Sequence, residues 1–231
     1  MPDILAMEQR ASLWIFGYGS LVWRPDFEFA SRRVGFIPGY SRKFWQGDTF
    51  HRGSPEMVSF GLCVSMLPHQ HCWTLTSLLP FSLQPGRVVT LQEDYQECTW
   101  GVAYEVRGDQ IESSLQYLNI RESVLGGYVT KFVEFYPQDE GETGVLPALV
   151  YIATPQNPSY LGPASEEDIA AQIVACSGRA GHNIEYLLRL ANFMHSFCPE
   201  AEDKHLFSIE EALIAILPCL YSTDDPATVF C

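Results

Sequence analysis

The sequence predicts an α+β fold, and three observations lead there. The front of the chain is made of apolar, β-branched and aromatic runs bounded by glycine and proline. Segments with apolar residues at helical spacing are interspersed and cluster toward the end. The 231 residues, 47% apolar and 18% charged, suit a globular chain of one domain with a sizeable core.

In chain order, "SLWIFGYGSLVW" is an apolar and aromatic run broken by glycines, which predicts a buried strand ending in a tight turn. "YSRKFWQ", "GRVVTL", "TWGVAYEV", "VTKFVEFYP" and "PALVYIA" predict further strands. "DQIESSLQYLNIRE" opens with Asp109 and carries Glu112 three residues on, a capping box, with Ile111, Leu115 and Leu118 at helical spacing. Ser165 is placed to cap a helix at Asp168. "NIEYLLRLANFMHSF" sets Leu187, Leu190, Ala191 and Met194 on one stripe. In "SIEEALIAIL", Ser208 and Glu211 form a third cap pair, and Pro218 is expected to end that helix.

The formal net charge of −14 argues against nucleic acid or an anionic membrane as the main partner. It leaves room for an anionic substrate, because backbone N–H groups can cradle an anion inside an acidic protein. The start of the sequence has acidic residues and no long apolar stretch, unlike a secretory signal. Seven irregularly spaced cysteines make a poor disulfide framework, and a reducing cytosol fits them better.

Four places could carry chemistry. In "FGYGSLVW", Gly17 and Gly19 flank Tyr18, and turning through positive φ would let successive N–H groups point at one spot, a nest for a carboxylate or oxyanion. A plain strand-ending turn gives the same letters. Continuing the stripe of Ile111, Leu115 and Leu118 brings Glu122 next onto the core face, near the C-terminal end of its helix. Burial and the helix dipole would raise its pKa, as suits a general base near neutral pH. Equally, a helix-end glutamate can reach water or pair with Arg121. "TPQNPSYLGP" holds Tyr160 between prolines, as a connector or as a fixed aromatic hydroxyl. Finally, Cys63, His69, His71 and Cys72 match no common zinc spacing, so no metal is expected.

Taken in order, "FGYGSLVW", "FWQGDTFHRG", "PGRVVTL", "WGVAYEV", "YLNIRE…GGY", "FYP" and "YIATPQNPSYLGP" resemble the ChaC family of glutathione-specific γ-glutamylcyclotransferases, from about Trp14 to Phe197 with one gap. The resemblance implies a small mixed β-barrel with helices packed around it. It implies a cofactor-free enzyme acting on glutathione, in which the γ-glutamyl amine attacks its own γ-carbonyl to give 5-oxoproline and Cys-Gly. It places the catalytic glutamate on Glu122 and the substrate loop on Gly17, Tyr18, Gly19, Ser20, Leu21 and Val22, with Arg42 and Tyr160 as candidate substrate clamps. It further implies a cytosolic or Golgi-associated setting and links to stress-induced apoptosis, the unfolded protein response and Notch receptor processing. A cyclotransferase for other γ-glutamyl-amines, or a weakly active isoform working through protein contacts, are the alternatives.

The gap in the resemblance coincides with Val58–Gln84, a block without Asp, Glu, Lys or Arg, interrupted by Pro68 and thus unsuited to a membrane span. The chain therefore reads as one domain over 1–231, with a core of about 14–197, an insertion at 58–84 and a helical tail. The block begins Val58-Ser59, as a splice donor would read, and ends at Gln84, as an acceptor would; "TSLLPFSL" suits a pyrimidine tract. It is either a translated intron that keeps the frame or a variant loop. Genomic sequence decides: codons 58–84 inside a constitutive exon would rule out the intron. A long loop costs little closure entropy, but an apolar one added to a core that evolved without it is expected to sit outside as a sticky excursion. Deleting 58–84 is expected to raise solubility and turnover, measured on purified protein; no change in either contradicts the reading.

Overall fold

Two long strands carry the structure. The computed structural model describes residues 12–53, 85–123, 128–139 and 144–221, the side chains at 122–123 and 219–221 excepted. Strand β2 (Ser31–Asp48) pairs antiparallel with β3 (Gly86–Arg107), from Ser31 opposite Glu105 to Asp48 opposite Gly86. The register shifts between Pro38 and Tyr40, at Gly39 (φ 80°), and again between Lys43 and Gln46. Such bulges bend and twist a pair enough to roll it into a barrel. The sequence separates "GRVVTL" from "TWGVAYEV", but the polar "QEDYQEC" between them continues as strand within β3. Ladder partners on β2, Tyr40 opposite Glu93 and Ser41 opposite Gln92, override its weak strand preference.

β1 (Ser12–Gly17) lies antiparallel on the other edge of β3, while β4 (Tyr128–Pro137) meets β2 at Gly35 and Phe36. β5 (Leu146–Ala153) pairs antiparallel with β4 and parallel with β1, at Trp14 and Ile15. The order β1-β3-β2-β4-β5 is a closed barrel, and its one parallel pair makes it the expected mixed one. Phe16, Ile37, Phe44, Tyr104 and Phe135, each at most 1% exposed, fill the principal core.

Among the described residues, four helices pack around the barrel: α1 (Gln110–Ser123), α2 (Glu166–Ala175), α3 (Asn183–Phe197) and α4 (Lys204–Tyr221). The α1 stripe of Ile111, Leu115 and Leu118 is buried against Leu13, Ile15, Val106 and Leu149, a second cluster apart from the main core. The Asp168 N–H donates to the Ser165 hydroxyl at 3.1 Å, the cap the sequence predicts. A short hairpin unforeseen in the sequence, β6 (Ser177–Gly178) and β7 (Gly181–His182), feeds α3, with Gly181 at φ 109°. Leu187, Leu190, Ala191 and Met194 are buried as predicted. Helix α4 corrects the reading twice. It starts four residues before Ser208, where the Asp203 carboxylate accepts the Leu206 N–H (3.1 Å), and Pro218 lies inside it. Asp203 caps the helix because "SFCPEAED" turns the chain just ahead of it, which a search for serine and glutamate pairs overlooks.

The charge-free block lies outside the described residues, but its roots do not. Gly53 is packed against the Asp48 carbonyl and the Gly86 N–H, so that a Cβ there would collide with both. The chain thus leaves and re-enters at one point on the β2–β3 pair, so an excursion of any length needs little rearrangement of the barrel.

Two predictions follow from the packing. Leu118→Ala leaves a void in the α1 cluster and should cost about 2–5 kcal/mol in denaturant unfolding. The Phe44 N–H donates to His205 Nε2 (3.1 Å), and His205 Nδ1 lies 3.2 Å from Glu166. Burial pushes the His205 pKa below its usual value, against the opposing pull of Glu166. A lowered histidine pKa means that the unfolded chain binds the proton more readily, so stability present above about pH 6.5 is lost as pH falls. In chemical unfolding between pH 7 and 5, His205→Gln should lose less stability than the unsubstituted protein.

Candidate active site

At the end of the barrel where β1 stops is a cavity of about 490 Å³, within the usual range for a small-molecule site. The chain from Gly17 to Leu21 forms one wall, the last turns of α1 another through Tyr117, Ile120 and Arg121. Asp48, His51 and Arg52 close it from the end of β2, with Tyr186 from α3 and Arg179 from the hairpin.

The Gly17–Val22 stretch is not a positive-φ nest; that part of the reading is corrected. Gly19 has φ −126°, and Gly17 is absent from the residues at positive φ. What these positions require is space. A Cβ at Gly17 would stand 2.5 Å from Leu21 Cβ, and one at Gly19 2.7 Å from the Tyr186 hydroxyl and 2.8 Å from Val89 Cγ2. Ser20–Val22 is a 3-10 turn, closed by the Val22 N–H on the Gly19 carbonyl (3.0 Å) and the Arg24 N–H on the Ser20 carbonyl (2.9 Å). The first N–H groups of such a turn have no acceptor within it, so the amides of Ser20 and Leu21 can serve an anion.

Three side chains fasten this cradle. Tyr18 donates its hydroxyl to the Tyr151 carbonyl (2.8 Å), Tyr104 donates to the Leu21 carbonyl (2.7 Å), and Arg121 Nη2 donates to Ser20 Oγ (2.6 Å). Burial pushes the Tyr104 pKa up to about 12, so its hydroxyl remains a donor across the working range of pH. The Arg121 bond ties α1 to the cradle, two elements far apart in sequence.

Glu122 lies in the last turn of α1, one residue after Arg121, and its side chain lies outside the described residues. The backbone around it does bear on the site. The buried α1 stripe ends at Leu118 beside Tyr151, which belongs to the same cluster and also lines the cavity, as does Tyr128 at the start of β4. Position 122 therefore falls where the core face of α1 meets the cavity.

Arg42 and Tyr160 do not line this cavity. Arg42 is 2% exposed; its Nη2 donates to the Trp100 carbonyl, and its Nη1 is 3.2 Å from Asp203. It joins the barrel to the start of α4 and has no access to a substrate in the cavity. Tyr160 bridges to Gln46 in a loop that runs along β2, where the Leu161 N–H donates to the Trp45 carbonyl (2.8 Å). These connector roles correct the reading of both residues as clamps. Cys63, His69, His71 and Cys72 lie outside the described residues.

The sequence reading missed the opposite wall. Asp48 accepts the N–H groups of Phe50 (2.8 Å), His51 (2.6 Å) and Arg52 (3.3 Å), which folds "DTFHRG" into a tight loop. Burial pushes its carboxyl up, but the His51 side chain and these N–H groups outweigh that and hold it below the usual range. The signal was legible, an aspartate before a short polar run that it can cap, with a histidine and an arginine inside. Tyr186, which the sequence reading did not single out, brings its hydroxyl to Gly19.

The distinction between wall and connector is testable. Arg42→Ala leaves Asp203 without its buried partner and should cost about 3 kcal/mol of unfolding free energy. Catalytic constants should remain within about twofold of the unsubstituted protein, since additive, distant sites do not couple.

The sequence model of the ChaC-like protein family matches residues 13–79 and 80–215, and the break falls inside the charge-free block. The chain is 56% identical over 215 residues to glutathione-specific gamma-glutamylcyclotransferase 1 of Rattus norvegicus, covering 93% of this chain and 84% of that protein. It is 55% identical to the protein of the same name from Danio rerio, covering 93% and 94%. Among solved structures, the glutathione-specific γ-glutamylcyclotransferase from yeast superposes with a TM-score of 0.69 at 23% identity, over 89% of this chain and 97% of that one, which shows a shared fold. With a family match spanning most of its length and an architecture that superposes, the chain belongs to the ChaC-like protein family.

Proposed function

We propose that this chain cleaves glutathione by cyclising its γ-glutamyl group, releasing 5-oxoproline and Cys-Gly. The observation that carries the reading is that the Gly17–Leu21 cradle and the last turns of α1 face one cavity and are joined by Arg121. The names of the vertebrate relatives support the substrate.

In this reaction the α-amine nitrogen forms a bond to the γ-carbonyl carbon, and the C–N bond to cysteine breaks. An ammonium group has no lone pair to attack with, so a base must first take its proton. We assign that to Glu122; the same nitrogen sheds a second proton as the ring amide forms, and Glu122 passes both in turn to the leaving nitrogen, which departs as the Cys-Gly ammonium. The tetrahedral oxygen, or the α-carboxylate beside it, is held by the Ser20 and Leu21 amides. The attack is intramolecular, so a site that holds the substrate bent removes much of the entropic barrier. Atoms balance without an oxidant, a reductant or water. A cytosolic setting belongs to this reading, supported by the free thiols of Cys98 and Cys198 among the described residues. A contact with Notch receptors forms no part of it.

Incubation with glutathione should yield 5-oxoproline, and other γ-glutamyl-amines should yield far less. Glu122→Gln should lower turnover by about 10²–10⁴-fold; an unchanged rate would refute the base assignment. Gly19→Ala, whose added methyl meets Tyr186 and Val89, should lower kcat/KM at least about tenfold while the protein stays folded, because small misplacements in a reacting site are costly.

A further inference from the structure

Resting on that reading, we propose that Asp26 is a positioning residue for the cyclisation: it clamps the last turns of α1, which carry Glu122, against the Gly17–Leu21 cradle. Asp26 is the one residue other than glycine at positive φ (56°) among the described residues. A side chain in the left-handed region crowds its own backbone, and glycine would occupy the position without that cost. The position nonetheless holds a carboxylate, and that carboxylate is engaged. Its Oδ2 accepts from Arg24 Nε at 2.8 Å and from the Tyr117 hydroxyl at 3.3 Å. Strain of this kind persists where the surroundings over-determine the conformation, and it gathers at working sites. Arg24, Asp26 and Tyr117 all line the cavity.

These contacts close a ring. Arg121 Nη1 donates to the Tyr117 hydroxyl (3.3 Å) and to the Arg24 carbonyl (3.4 Å), and Arg121 Nη2 donates to Ser20 Oγ (2.6 Å). The Arg24 N–H returns to the Ser20 carbonyl at 2.9 Å. Ser20, Arg24, Asp26, Tyr117 and Arg121 thus form one circuit, in which Asp26 supplies the carboxylate between two guanidinium groups. Tyr117 and Arg121 are four residues apart, on one face of α1. Holding both fixes the rotation of the helix end as well as its distance from the cradle. Phe27 anchors the chain on the other side. Its ring meets Tyr104 edge-on at 5.6 Å, and the Tyr104 hydroxyl is the one that holds Leu21.

The connections decide which step Asp26 serves. Without it the cradle keeps its bonds to Tyr18, Tyr104 and Arg121, so the substrate is still gripped. What Asp26 adds is the link from Arg24 to Tyr117. Its loss lets the end of α1 shift against the cradle, and Glu122 moves with it. A displaced base slows proton transfer without weakening binding, and a misplacement of about 1 Å can cost about a hundredfold. The strain sets the sign of the effect on stability. Asp26→Gly releases the crowded backbone, so the protein should be no less stable while it reacts more slowly, the opposite of what a purely structural residue shows.

The test sets turnover of glutathione beside denaturant unfolding for Asp26→Gly, Asp26→Asn, Tyr117→Phe and the unsubstituted protein. In Asp26→Gly, kcat should fall about tenfold, KM should stay within about twofold, and the unfolding midpoint should not decrease. Asp26→Asn, whose amide oxygen still accepts from Arg24 and Tyr117, should recover kcat to within about threefold of the unsubstituted protein. Tyr117→Phe should lower kcat severalfold, and adding it to Asp26→Gly should cost little more, because both break one link. An unchanged kcat in Asp26→Gly overturns the proposal, as do losses that add in full in the double variant. A slower Asp26→Gly with a matching drop in unfolding midpoint also overturns it, since that marks a structural role alone. Asp26→Asn as slow as Asp26→Gly would make the carboxylate a reacting group and overturn the positioning role. If Asp26→Gly does not fold, Tyr117→Phe decides, and an unaltered kcat there sinks the clamp. Absence of 5-oxoproline from glutathione with the unsubstituted protein would defeat the parent reading and this one together, an outcome distinct from all of these.

Discussion

Everything at the site depends on how the stretch Gly17–Val22, from the last residue of β1 onward, is held. A strand that ends in a turn is ordinarily a mobile place, and reaction geometry tolerates little motion. Here the stretch is fastened on three sides. Tyr18 donates to β5 at Tyr151, Tyr104 donates from β3 to Leu21, and Arg121 reaches Ser20 from α1. The glycines contribute by being small, so that Tyr186 and Leu21 can close on the backbone. The barrel supplies Tyr104 and Tyr151 at fixed register, which is why the cradle requires the closed sheet beneath it.

The cavity has two kinds of lining. At one wall it is the Gly17–Leu21 backbone. At the other, side chains carry charge: Arg52 and Arg179, around a loop organised by Asp48. Tyr186 also lines it, fixed edge-on by Trp23 at 5.3 Å and by Phe44 at 6.1 Å. An anionic substrate can thus bind a strongly acidic protein, because what it meets is the local arrangement and not the net charge. The described chain breaks off at Gly53, next to Arg52, and resumes at Pro85, so the residues flanking the stretch that holds the charge-free block stand beside this wall.

Much of this was legible in the sequence. Alternation and aromatic content marked the strands, and the stripe of Ile111, Leu115 and Leu118 is buried as its spacing predicts. The failures have physical causes. The continuous β3 was split because its polar middle is held by pairing with β2, which no local pattern reveals. Ser208 was taken for a cap because serine spacing mimics one, whereas Asp203 makes the bond. Arg42 and Tyr160 looked available for binding, but Asp203, the Trp100 carbonyl and Gln46 engage them in the fold.

The central claim is that the γ-glutamyl group is displaced by its own amine inside this cavity. Mass spectrometry of the products formed from glutathione in heavy-oxygen water tests it most directly. Cyclisation predicts 5-oxoproline and Cys-Gly in equal amounts, with no heavy oxygen in the 5-oxoproline and no free glutamate. Labelled glutamate in place of 5-oxoproline would mean that water is the nucleophile, and would contradict the account.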